Sequence, residues 1–157
     1  MQMGTKIRAA AEAMAPTRLS GLCAGSNVLT LDGELPVEHL SIGDRIVSRT
    51  SGTAVLRDIH VTEVMMTPIR IKAGSLGHTR PDRDMLVSPE AQLHIRDWRA
   101  EALFGTPSAM VPARRLIDGE FVAEETTRIV TLFTLVFDRP QVIYADGMEI
   151  GAGALSD

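Results

Sequence analysis

The run RIVTLFTLVFD, residues 128 to 138, followed by QVIYADG, residues 141 to 147, constrains this chain more than any other part of it. β-Branched and aromatic residues dominate both runs, and such side chains suit a pleated, half-buried strand better than a helix. Only Arg139 and Pro140 bridge them, so the spacing predicts a hairpin at the centre of a β domain. From residue 21 onward the texture persists: short β-favouring runs alternate with turn residues, which is the pattern of an all-β fold.

Within NVLT, Val28 and Thr30 are expected to face one side and Leu29 and Leu31 the other, ahead of an Asp32-Gly33 turn. A helical turn is expected from Val37 to Leu40, then a Gly43-Asp44 turn and a strand over Arg45 to Arg49. The segment TSGT closes a hairpin into AVLRDIHVTEVMM, and PIRIKAG alternates Ile69 and Ile71 against Arg70 and Lys72. Gly74 to Asp84 reads as an exposed loop, and MLVSPEAQLHI as two short strands flanking Pro89. The best local helix is DWRAEALFG, with Asp97 as its cap and Gly105 as its stop. Residues 1 to 20 read as a mobile arm, 21 to 150 as one domain and 151 to 157 as a tail.

At 157 residues the chain is long enough for one domain with its own core. Sixteen basic against 20 acidic side chains, a net charge of -4, leave no broad basic surface for phosphate backbones, so nucleic acid is not an expected partner. No apolar stretch approaches a membrane span, and the first 20 residues lack the apolar centre of a signal peptide, so a cytoplasmic location is expected by default. One cysteine and the scattered His39, His60, His78 and His94 offer no ligand-like spacing; neither a metal nor a cofactor is expected. The methionines are expected mainly in the core.

The order of GLCAGSNVLTLDGELPVEHLSIGDRIVS, PIRIKAGSLG, RDMLVSPEAQLHI, EALFG with MVPARRLIDG, and TLFTLVFDRPQVIYADGME resembles the Hint superfamily of inteins and hedgehog autoprocessing domains, in particular its bacterial Hint-domain branch. The resemblance covers about residues 21 to 150 and implies a horseshoe of short antiparallel strands with one or two short helices. In that family a cysteine or serine opens the domain and attacks the preceding carbonyl, turning a peptide bond into a thioester or ester. A histidine in the middle block strains and protonates the scissile amide, and late histidines assist.

Placed on this chain through Gly25-Ser26, the family pattern puts Gly21 at the nucleophile position and Cys23 two residues out of register. The middle block reads Ser88, Pro89, Glu90, Ala91, so Ala91 stands where the histidine is expected and His94 follows three residues later. Thr134 and Pro140 occupy the late histidine positions. A shift of two keeps Cys23 on the strand face of Gly21, whereas a shift of three turns His94 away from the face of Ala91. Cys23 and His94 are therefore the remaining catalytic candidates, each weighed against a plainer role as a buried small residue or a partly exposed strand residue. Ser26, Ser88 and Asp138 are pocket candidates, with backbone bonding or turn chemistry as the plainer reading.

Catalytic groups of this kind act as a unit, and every role is altered here while the fold-building residues remain. The expectation is a Hint scaffold without its autoproteolytic machinery, with a binding or structural role toward a protein or peptide in a cleft of Gly21, Ala91 and Thr134. The competing reading is active autoprocessing through Cys23. An unrelated enzyme reusing the pocket has no motif behind it.

Overall fold

A computed structural model of the protein describes residues 21 to 152; the expected arm over 1 to 20 and residues 153 to 157 lie outside the described residues. The fold is all-β and antiparallel, with strands numbered in chain order. One six-stranded sheet contains β1 (Leu22–Cys23), β6 (Asp58–Met66), β7 (Ile69–Ile71), β8 (Met85–Val87), β11 (Val122–Glu124) and β12 (Arg128–Val136), in the order β11-β7-β8-β1-β12-β6. An eight-stranded sheet contains β2 (Asn27–Thr30), β3 (Gly33–Pro36), β4 (Arg45–Ser48), β5 (Gly52–Val55), β9 (Gln92–Ile95), β10 (Ala109–Pro112), β13 (Gln141–Ala145) and β14 (Met148–Ala152). Its order is β10-β9-β14-β13-β2-β4-β5, with β3 paired to β2.

One apolar cluster joins the sheets. Leu22, Ile69, Ile71 and Val87 of the first pack with Val28, Ile46, Leu93, Ile143 and Ile150 of the second. Burying each such side chain contributes about 1.5–3 kcal/mol, which is why short strands suffice. A smaller cluster of Cys23, Met66, Val130 and Leu132 lies on the other side of β1 and β12. β12 serves both: Val130 and Leu132 face the small cluster, while Phe133 and Leu135, with Phe137 just past the strand, pack with the large one.

The expected hairpin between the two late runs does not form. β12 pairs with β6 and β1, whereas β13 pairs with β14, β2 and β4, so Asp138 to Pro140 form a corner between sheets. The hairpin partner of β13 is β14, across Asp146 and Gly147, both at positive φ (52° and 78°). β14 continues through Ala152, two residues past the domain boundary expected at 150. The β4–β5 hairpin closes at Ser48 and Gly52 as the TSGT turn requires.

Val28 and Thr30 are buried, as are Ile69 and Ile71, while Leu31 is exposed. A short 3-10 turn spans Val37–His39. The helix α1 runs Trp98–Phe104, with the Asp97 side chain accepting from the Arg99 N–H and Gly105 in the left-handed region at φ 70°. The loop from Gly74 to Asp84 is not wholly exposed, because Leu76 is buried in the core. Of the described methionines, Met66, Met85 and Met148 are buried, but Met65 and Met110 are exposed. No helix among the described residues is long and apolar enough to cross a membrane.

Candidate functional site

Gly21 precedes β1, which is wedged between β8 and β12 through the pairs Leu22–Val87 and Leu22–Phe133. Continuing both registers by one residue sets Gly21 across from Ser88 on one side and Thr134 on the other. A Cβ at Gly21 would sit 2.9 Å from the Phe133 carbonyl oxygen and 3.1 Å from Thr134 Oγ1. The first of these distances is shorter than a side chain tolerates against backbone, so β12 would have to move to admit one. The cleft here is about 20 Å³, lined by Gly21, Leu22, Phe133, Thr134, Gly151 and Ala152. Such a volume holds about one water and no peptide.

Cys23 shares the strand face of Gly21, as its spacing predicts, but does not reach that cleft. Opposite Leu132 and only 2% exposed, its Sγ is enclosed by Met66, Val130 and Leu132. Burial pushes the thiol up to about 11, against the lowering effect of the Arg128 charge. The thiolate is the nucleophilic form, so this thiol is held in its inert state at neutral pH.

Ala91 is fully buried in the large cluster and does not line the Gly21 cleft, so the expected grouping of Gly21, Ala91 and Thr134 is only partly assembled. Its N–H donates to the Ser88 carbonyl in a tight turn. Ser88 is fully buried and its Oγ has no hydrogen-bond partner among the described residues, contrary to the expectation that this hydroxyl bonds to backbone. Ser26 is buried at the start of β2, where its carbonyl accepts from the Val37 N–H.

The other candidates lie elsewhere. Asp138 is a surface residue held by two hydrogen bonds from Arg57, which keep its carboxyl below the usual range; it does not enter the cleft. Pro140 is exposed at the corner between sheets. His94 lies on β9, where its Nδ1–H donates to Glu149 Oε1 at 2.6 Å. A carboxylate only accepts, which assigns the proton to Nδ1. Sequence reasoning passed over Glu149, although an acid between Met148 and Ile150 in an apolar strand is the signal of a buried, partnered charge. Of the remaining histidines, His60 lies across from Thr134 on the exposed strand β6, 3.5 Å from Asp58.

Short antiparallel strands with few helices are the arrangement the family resemblance implies, and the structure adds that β1 lies inside one sheet with Gly21 beside the end of β14. The Hint domain family model matches residues 20 to 152. The chain is a member of the Hint domain family. Solved structures agree on the fold. This Hint domain is similar to a bacterial intein-like domain from Clostridium thermocellum, with 13% identity over 86% of this chain and 99% of that one and a TM-score of 0.55. An AceL NrdHF class 3 split intein matches at 12% identity over 87% and 99% of the two chains, again at a TM-score of 0.55. A DnaB intein from Synechocystis matches at 12% identity over 85% and 99%, with a TM-score of 0.53. Comparison with curated protein sequences gives no match.

Proposed function

We propose that this Hint domain has lost autoproteolytic activity and acts as a binding or structural unit. The observation that carries this reading is Gly21. The position that matches the family nucleophile has no side chain, and the β12 backbone leaves no room for one. The neighbouring positions support the same reading. Cys23 is protonated and enclosed two residues away, Ala91 stands where the acid histidine is expected, and the buried Ser88 hydroxyl has no partner among the described residues. His94 is committed to Glu149 through Nδ1.

The test is the intact mass of freshly purified chain, repeated after incubation with a strong thiol at neutral to mildly basic pH. Full-length mass throughout is the expected result. Release of a fragment ending at Leu22, abolished by Cys23→Ala, would overturn the proposal and establish that the shifted cysteine works.

A further inference from the structure

We infer that the face of the eight-stranded sheet turned away from the core carries a binding site for a doubly charged oxyanion of the phosphate class, built from Arg49, Arg80 and Arg96 around Glu149. Strand parity places it there. Met148 and Ile150 enter the large apolar cluster, so Glu149 between them points to the opposite face. Tyr144 lies across from it on β13, and His94 is its neighbour on β9.

Three guanidiniums from separate segments converge on one oxygen of this carboxylate. Arg49, just after β4, brings Nη1 to 3.4 Å from Glu149 Oε2; Arg80, in the Gly74–Asp84 loop, brings Nη1 to 3.1 Å; Arg96, just after β9, brings Nη2 to 3.5 Å. The other oxygen is taken by His94. Glu149 is only 1% exposed, and though burial opposes its charge, His94, Arg80 and Arg96 keep its carboxyl below the usual range.

The charges do not balance within the cluster. Arginine stays protonated, so three positive groups face one negative one, and no other acid lies within ion-pair distance of any of the three among the described residues. Two positive charges are left over, in a chain whose net charge is -4. Donors are in surplus as well: three guanidiniums offer about fifteen N–H groups, and Arg96 Nε is buried without a partner among the described residues. Like charges this close repel, so Glu149 serves as a positioning residue that gathers the arginines.

An oxyanion supplies what is missing. A phosphate monoester carries roughly -1.5 to -2 at pH 7, free phosphate approaches the same charge at slightly higher pH, and both have acceptor oxygens in several directions, which matches two surplus charges and three forked donors. A monocarboxylate balances only half of that charge. Arg49 is 44% exposed, so the cluster opens to solvent on its side, while its base at Glu149 is dry. Free phosphate and the phosphoryl group of a larger molecule share this chemistry.

The experiment is calorimetric titration of the full chain with inorganic phosphate, phenyl phosphate and acetate at pH 7.5 and constant ionic strength. The same titrations are made on Arg49→Gln, Arg80→Gln, Glu149→Gln and, as a control, Arg57→Gln, whose guanidinium is held by Asp138 at the surface. The expected result is saturable one-to-one binding of phosphate, weaker binding of acetate, and at least tenfold weaker binding in Arg49→Gln and Arg80→Gln, with Arg57→Gln unchanged. Glu149→Gln, where its far-ultraviolet spectrum shows it folded, keeps an acceptor oxygen for the arginines but loses the competing negative charge, so it is expected to bind phosphate more tightly than the natural chain; unchanged or weaker binding in the folded variant would overturn the inference. Tighter binding of phenyl phosphate than of the free ion supports a phosphoryl group on a larger molecule; the reverse order supports the free ion. Absence of saturable phosphate binding, equal affinity for acetate, or unaltered affinity in both arginine variants would overturn the inference.

Discussion

Cys23 and Glu149 are both buried on β strands, and they are treated in opposite ways. Cys23 is surrounded by hydrocarbon, so its neutral form is favoured and its ionisation moves from 9.0 to about 11. The unfolded chain ionises first, so this thiol contributes stability that is fully present below pH 9 and declines as pH rises toward 11. That difference corresponds to about 2–3 kcal/mol. Denaturant midpoints measured from pH 8 to 11 should therefore fall more steeply for the natural chain than for Cys23→Ala, which starts lower and loses less. Equal slopes would place the thiol in a wetter site than its neighbours indicate. The burial of Cys23 was legible from one residue, because a lone small apolar residue in a β run is most often inside. The company of Glu149 was not, since Arg49, Arg80 and Arg96 belong to three segments far apart in the chain and only the fold brings them together.

Elements with their own punctuation were readable. α1 has a cap that bonds, a left-handed glycine stop, and Ala100 as its buried contact. Replacing Asp97 by alanine removes the acceptor for the Arg99 N–H and is expected to cost about 1 kcal/mol, read as a shift in the denaturation midpoint with an unchanged slope. Strands were found for a similar reason: alternation along Ile69–Ile71 and Asn27–Thr30 reports directly on which face is buried. Their pairing was less accessible. Adjacency favoured a hairpin of β12 with β13, but β12 is apolar on both faces because it lines two clusters. A strand of that kind belongs inside a sheet, and β1 and β6 already occupy its two edges. The corner at Asp138 to Pro140 then carries the chain to the other sheet, where β14 offers the tight turn that β12 lacks.

At the level of the whole molecule, two sheets share one core and differ in how well their margins are protected. β13 and β14 lie within the eight-stranded sheet, and Ile143, Ala145, Met148 and Ile150 are fully or almost fully buried. β6 is an edge of the six-stranded sheet, with Val61 and Met65 exposed beside Ile129 of β12. Native-state hydrogen exchange should accordingly show the slowest amides in β13 and β14 and the fastest strand amides on the outward side of β6. Uniform protection across both sheets would mean that they open only together. The cleft at Gly21 has a consequence of a different kind. Gly21 and Ala152 line the same small space, so the chain enters and leaves this fold at neighbouring points. A domain built that way can sit as a guest within a surface loop of another protein, bridging the gap in its host without prising the host apart.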